Sequence, residues 1–351
     1  MGWCNRSRHH FQILSEWIDN GAKIPILRGM TESKAGVKGD FTAVVTANRH
    51  IGSCFYRLSL QFFHQGAQAF AQTVPGQFAQ LDLSGTALPA TEKLDGRQAD
   101  AIGRGIILRR PYSFCEVSSK EDKTTVEILY CTVGPASLRI TTLKPADKIN
   151  VIGPLGNGFS IPEGKTTAIL IIGGMGAPPI QHLAAVLSQK HPDIYPVVFA
   201  GAKTKTELPF DGRVDEVSKE IGYPIAAFAK LGVESQIATD DGSAGFAGPV
   251  TQCLGQWLNE NDVSVQKTII YTCGPEAMLA EVARMAEAKK IDCQVSMERR
   301  MACGIGLCQS CAVECRVPGS SETMYKLCCK DGPVFDAKEI VFHTEKNDHR
   351  L

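Results

Sequence analysis

The C-terminal part of the chain carries Cys303-Gly-Ile-Gly-Leu-Cys308-Gln-Ser-Cys311, and a pair, Cys328-Cys329, follows before Lys330-Asp331-Gly332-Pro333. The spacing is C-x4-C-x2-C with a distant fourth cysteine, the arrangement with which plant-type ferredoxins hold a [2Fe–2S] cluster. Two irons and two sulfides ask for four soft thiolates. A short loop delivers three of them only by folding back on itself. Gly304 and Gly306 suit that path, because glycine accepts positive φ and lets N–H donors come close to sulfur. Structural zinc sites usually show paired C-x2-C knuckles, and here Cys308 and Cys311 make only one. Cys315 lies close by, and either member of the Cys328-Cys329 pair can supply the fourth thiolate.

A chain of 351 residues has room for two or three domains. Hydrophobic content of 44% and charged content of 21% fit an ordinary globular protein. A formal net charge of zero argues against a nucleic-acid-binding face. No apolar run approaches the ~18 residues of a membrane span. The N-terminus, MGWCNRSRHHFQIL, lacks a charged segment followed by an apolar core, so no secretory signal is expected and a cytoplasmic location is. In that setting the 13 cysteines do not suggest a disulfide framework. Outside the cluster, Cys4, Cys54, Cys115, Cys253 and Cys293 read as small apolar filler.

The pattern divides the chain into a 1–38 extension, a β-rich region at 39–160, an alternating strand–helix region at 161–294 and the cysteine segment at 295–351. The β-rich runs include Phe41-Thr-Ala-Val-Val45, Tyr56-Arg-Leu-Ser-Leu60, Thr125-Val-Glu-Ile-Leu-Tyr130 and Ser137-Leu-Arg-Ile-Thr141. Short strands at close intervals predict a barrel or sandwich. Residues 83–104 interrupt them with a polar, glycine-containing insertion, read as an exposed loop. In the next region Thr167-Ala-Ile-Leu-Ile-Ile172 is continuously apolar, as in a strand buried on both faces. Helices are expected at 180–189, 249–258 and 276–289, and further strands at 195–200, near 236–238 and at 268–271. Such alternation implies a parallel sheet.

Two glycine-bearing turns follow strands in this region. Gly173-Gly174-Met175-Gly176-Ala-Pro178-Pro179 opens a helix, where free N–H donors and the dipole favour phosphate. It departs from the G-x-G-x-x-G fingerprint. Cys273-Gly274-Pro275-Glu276 also joins a strand end to a helix. In the β-rich region, Arg109-Arg110-Pro111-Tyr112-Ser113 combines a phosphate clamp, an aromatic face and a hydroxyl.

Taken in order with Gly153-Pro-Leu-Gly-Asn-Gly-Phe159 and Thr239-Asp-Asp-Gly-Ser243, these motifs resemble the ferredoxin-reductase superfamily. Met297-Glu-Arg-Arg-Met301-Ala-Cys303 and Cys329-Lys-Asp-Gly-Pro-Val-Phe335 resemble, more narrowly, the electron-transfer subunits of NAD-linked (class 1B) dihydroorotate dehydrogenases. The resemblance implies an antiparallel FAD-binding β-barrel, a Rossmann-like parallel α/β nucleotide domain and a small C-terminal [2Fe–2S] domain. Arg110, Pro111, Tyr112 and Ser113 would hold FAD; Leu129, Tyr130 and Cys131 would line it, and Ala136-Ser137 would meet its pyrophosphate. The family usually has Gly-Thr at that last pair and a basic residue in place of Cys131. Gly173, Gly174 and Gly176 with Cys273, Gly274 and Pro275 would form the NAD(H) site. Cys273 is a candidate beside the nicotinamide, with plain packing as the alternative. The cluster ligands would be Cys303, Cys308, Cys311 and, by its place before Lys-Asp-Gly-Pro, Cys329. Lys203 and Lys205 follow a strand and leave NADP open.

The resemblance also implies a partner: an FMN-containing dihydroorotate dehydrogenase catalytic subunit, in a heterotetramer. Electrons would pass from it through the cluster and FAD to NAD⁺, in de novo pyrimidine (UMP) biosynthesis. Flavin belongs in the middle because it exchanges one or two electrons. The competing expectations are a related flavin and iron–sulfur reductase serving another acceptor, and a zinc-stabilised binding protein with no activity.

Overall fold

The computed structural model describes residues 38–90, 109–210 and 225–343. All but Lys38 of the expected 1–38 extension and most of the 83–104 insertion lie outside them.

Seven strands form the first sheet: β1 (Gly39–Gly52), β2 (Phe55–Phe63), β3 (Phe78–Leu81), β4 (Arg110–Ser113), β5 (Glu116–Lys120), β6 (Lys123–Cys131) and β7 (Lys148–Leu155). Their order is β4-β3-β7-β1-β2-β6-β5, every pair antiparallel. Alternation sends Leu58, Leu60 and Phe62 of β2, Val126, Ile128 and Tyr130 of β6, and Ala79 and Leu81 of β3 into one core. A short helix, α1 (His64–Ala71), plugs it, with Phe70 stacked on Phe62 at 3.8 Å between ring centroids. The insertion does not begin as an exposed loop: Leu83 is part of this core.

Two further expectations fail here. Residues 137–141 are not strand; 137–140 belong to a helix, α2 (Pro135–Ile140), and Thr141 is its C-cap. Proline suits its first turn, and the Ser137 hydroxyl accepts the N–H groups of Val133 (2.9 Å) and Gly134 (3.1 Å), which fixes the helix start. Cys54 is not filler. It forms a disulfide with Cys131, Cα–Cα 5.2 Å, across 77 residues of sequence. The cause is register: Phe55 of β2 pairs with Cys131 of β6, so the residue before β2 meets the end of β6. Cys115, Cys253 and Cys293 are buried, as expected of small apolar side chains; Cys4 lies outside the described residues.

The second sheet holds six parallel strands: β8 (Thr167–Gly173), β9 (Tyr195–Ala202), β10 (Glu234–Thr239), β11 (Phe246–Ala247), β12 (Thr268–Cys273) and β13 (Asp292–Ser296). The chain then makes a hairpin, β14 (Ala312–Arg316) with β15 (Thr323–Leu327), and returns as β16 (Val334–Asp336), antiparallel to β13. The order is β11-β10-β9-β8-β12-β13-β16. Helices α3 (Ala177–Lys190), α4 (Ala226–Ala229), α5 (Val250–Glu260) and α6 (Glu276–Lys289) follow strands. Central β8 is buried on both faces. Ala168, Leu170 and Ile172 meet Ile180, Leu183 and Leu187 of α3, while Ile169 and Ile171 meet the side of Leu254, Leu279 and Val282. Among the described residues no helix is long and apolar enough to cross a membrane.

Candidate cofactor and cluster sites

The chain leaves β8 toward β9 on one side of the sheet and later returns to β12 on the other. Ligands in open α/β sheets bind outside such a switch point. Both glycine turns sit there. A Cβ on Gly274, whose φ is +154°, would lie 2.8 Å from Cα of Gly173. A Cβ on Gly176 would overlap the Cys273 carbonyl. The two loops are therefore packed backbone to backbone. Pro178 and Pro179 stand in the first turn of α3 and carry no N–H, and the Ala177 N–H is bonded to the Gly174 carbonyl, so the expected run of free N–H donors at this helix start is not met. Cys273 itself is 3% exposed, and burial pushes its thiol well above the ordinary range.

On the barrel, Arg110–Ser113 forms edge strand β4 with all four residues half-buried. Tyr112 lies edge-on to Tyr130, ring centroids 6.5 Å apart, and burial raises its hydroxyl pKa. Arg109 is engaged elsewhere, ion-paired to Asp82 at 3.4 Å and bonded to Asn150. Leu129 and Tyr130 are buried on opposite faces of β6, and the Tyr130 hydroxyl donates to Asn48 at 3.1 Å. Cys131 is held in its disulfide. Ala136 and Ser137 are in the first turn of α2, ahead of the Leu138 N–H to Gly134 carbonyl bond (3.0 Å), so their amides lie at the helix N-terminus.

The cysteine loop runs from the end of β13 to the start of β14. Cys308 N–H points at Cys303 Sγ (3.4 Å), Cys329 N–H at Cys311 Sγ (3.4 Å), and Gly306 N–H at the Cys329 thiol. Gly304 and Gly306 have φ of +69° and +90°, so both need glycine. The four cysteines and their N–H donors fit a group with sulfur ligands. Among the described residues no three His, Cys, Asp or Glu side chains close around a single ion; a two-iron cluster instead spreads four thiolates over two metals. Cys315 is buried on β14 with its thiol on the Val313 carbonyl at 3.6 Å. Cys328 turns away and donates to the Met297 carbonyl at 3.2 Å. Burial pushes the Cys328 and Cys329 thiols up to about 12 alike, so the direction of the side chains, not proton affinity, separates them.

The cysteine segment is fixed to both other parts. Strand β16 extends the nucleotide sheet. The Gly153–Phe159 turn grips the loop before β16: Asn157 N–H donates to Gly332 O at 2.6 Å, and its Nδ2 to Asp331 O at 2.9 Å. Gln80 of β3 lies against Gly304. Neither Gln80 nor Asn157 is evident as a site residue in the sequence; a lone glutamine inside Phe-Ala-Gln-Leu is its one trace.

A barrel with an Arg-Pro-Tyr-Ser edge strand, a nucleotide sheet with glycine loops at its switch point and a cysteine loop docked on both define a reductase of ferredoxin-reductase architecture. The NADH-dependent reduced ferredoxin-NADP oxidoreductase known for flavin-based electron bifurcation has this fold: TM-score 0.62, 21% identity, 86% of this chain and 90% of that one. Residues 298–341 match the model of the iron–sulfur cluster binding domain of dihydroorotate dehydrogenase B. The dihydroorotate dehydrogenase B (NAD(+)) electron transfer subunit of Geobacillus thermodenitrificans is 34% identical over 300 residues, 85% of this chain and 96% of its own length. That of Caldanaerobacter subterraneus subsp. tengcongensis is 32% identical, covering 86% and 98%. The chain belongs to the family of dihydroorotate dehydrogenase B (NAD(+)) electron transfer subunits.

Proposed function

We propose that this chain carries electrons from an FMN-containing dihydroorotate dehydrogenase catalytic subunit to NAD⁺, as part of a cytoplasmic heterotetramer in pyrimidine biosynthesis. The observation that carries this is the docking of the loop with Cys303, Cys308 and Cys311 on the barrel next to the Arg110–Ser113 strand, within a fold whose nucleotide loops converge at one switch point. When bound, the cluster moves single electrons, the flavin exchanges one or two, and nicotinamide takes a hydride.

Cys303, Cys308, Cys311 and Cys329 are assigned as cluster ligands, with the N–H groups of Gly306, Cys308 and Cys329 directed at their sulfurs. Arg110, Pro111, Tyr112 and Ser113 are assigned to FAD, with the Ala136 and Ser137 amides for its pyrophosphate. The Ser137 hydroxyl is committed to its own turn, so the backbone does this work. Leu129 and Tyr130 support that surface from the core rather than touching the cofactor. Gly173, Gly174, Gly176, Gly274 and Pro275 are assigned to the nucleotide phosphates, and Cys273 closes the wall behind them. The 39–160, 161–294 and 295–351 regions serve as the flavin, nucleotide and cluster domains.

The test is an absorption spectrum of the purified chain with iron and flavin quantification, followed by activity assays with and without the candidate catalytic subunit. The chain alone reduces dyes with NADH and leaves dihydroorotate unoxidised; adding the catalytic subunit confers dihydroorotate-dependent NAD⁺ reduction. A colourless zinc protein, or dihydroorotate turnover by the isolated chain, overturns the proposal.

A further inference from the structure

Strand β3 reads Phe78-Ala79-Gln80-Leu81, and all four residues are buried. Ala79 and Leu81 point into the barrel core. By the two-residue period of a strand, Phe78 and Gln80 point the other way. Phe78 there joins Leu155 and the core that contains Cys311, Cys328 and Cys329. Gln80 is 0% exposed, and neither Oε1 nor Nε2 has a hydrogen-bond partner. Burying an unpaired amide group costs about 1–3 kcal/mol. A leucine or methionine fills the same space without that cost, so the carboxamide is unexplained by packing.

Its surroundings indicate what it pairs with. The cluster loop crosses directly over it: a Cβ on Gly304 would overlap Nε2 and lie 2.8 Å from Cδ. Across the sheet Gln80 pairs with Pro111 of the Arg-Pro-Tyr-Ser strand. One side chain thus separates the cluster loop from the proposed flavin strand. The nitrogen end faces the cluster loop, and the acceptors a [2Fe–2S] group offers are sulfurs.

We propose that Gln80 is a positioning residue for the cluster, its Nε2–H donating to a cysteinyl or bridging sulfur held by the 303–311 loop. This rests on the cluster assignment above. Hydrogen bonds to cluster sulfurs tune the reduction potential; a donor there favours the reduced, more negative form. Gln80 thereby sets the level from which electrons reach the barrel.

Gln80→Met keeps the size and removes both polar atoms; Gln80→Leu removes them with a shorter, branched chain. The experiment is a potentiometric titration of the cluster-loaded, FAD-loaded chain, followed by electron paramagnetic resonance of the reduced cluster. Both variants shift the midpoint negative, with the reduced-to-oxidised ratio at a fixed poise falling about tenfold, ~59 mV for one electron. A second readout separates this role from packing: without cluster, Gln80→Met melts above the parent, and with cluster it melts below. A midpoint equal to the parent's in both variants, with iron content intact, overturns the proposal. A parent chain that holds no iron fails the functional reading itself, and this inference with it.

Discussion

The backbone N–H of Asn157 donates to the carbonyl oxygen of Gly332 at 2.6 Å, joining the turn that leaves the barrel to the loop that follows Cys329. The Asn157 carboxamide adds bonds to Asp331 O (2.9 Å) and Lys330 O (3.4 Å). Three consecutive residues of the cluster segment are thus tied to one asparagine. In Asn157→Ala the backbone bond remains and the side-chain bonds go, a loss of about 1–2 kcal/mol in docking. The expected outcome is faster iron release in mild denaturant while FAD stays bound, followed by cluster absorbance against flavin fluorescence. Equal release rates would remove Asn157 from this role.

Much of this arrangement is legible in the sequence, and its limits are physical. The buried run at 167–172 and the helix at 276–289 carry strong local signals, and the structure has β8 at Thr167–Gly173 and α6 at Glu276–Lys289. The segment at 137–141 misleads because Leu138 and Ile140 alternate with polar residues as they would on a strand, while the deciding contacts are the Ser137 hydroxyl on two preceding amides. The Cys54–Cys131 disulfide depends on the β2–β6 register, which no local pattern encodes. Gln80 and Gly304 meet only because β3 lies beneath the cluster loop.

Gly176 and Cys273 make a steric prediction for the nucleotide site. Gly176 has an ordinary helical φ of −68°, so its need for glycine is purely one of space: a Cβ would overlap the Cys273 carbonyl, which is backbone and cannot swing aside. Gly176→Ala forces the two loops apart. It raises KM for NADH at least tenfold in dye reduction and lowers Tm by several degrees, with iron and FAD contents unchanged; overpacking of this kind costs about 1–3 kcal/mol. Gly232→Ala, outside the residues assigned to the nucleotide, is the control: its φ is +67° with nothing within 4 Å, so it adds only backbone strain of about 1 kcal/mol.

His182 gives a pH dependence of stability. It is 3% exposed, its Nδ1 has no partner, and it borders a cavity of 890 Å³ between α3 and the barrel. Burial, with help from the Lys190 charge, lowers its pKa from 6.5 to about 4. The unfolded chain therefore binds a proton that the folded chain refuses between those values, and stability falls as pH drops through that window. The full effect is roughly 3 kcal/mol at pH 4. In urea titrations from pH 7 to pH 4, His182→Leu loses less stability than the parent by that amount. Parallel curves for the two proteins would refute the assignment.

The adjacent thiols of Cys328 and Cys329 make opposite predictions. Cys328 Sγ donates to the Met297 carbonyl at 3.2 Å and is fully buried in the core shared with the nucleotide sheet. A serine keeps that donor, so Cys328→Ser retains the two irons of the cluster and costs no more than about 1–2 kcal/mol in stability. The Cys329 thiol instead meets the Gly306 N–H, and its own amide points at Cys311 Sγ. Replacing it with serine puts a hard oxygen where a soft thiolate is needed. Cys329→Ser loses most of its iron and its cluster absorbance while FAD binding on the barrel persists. Iron quantification on the two variants decides between them: iron loss in Cys328→Ser with retention in Cys329→Ser would exchange their roles and require the 328–331 turn to rotate its side chains by one residue.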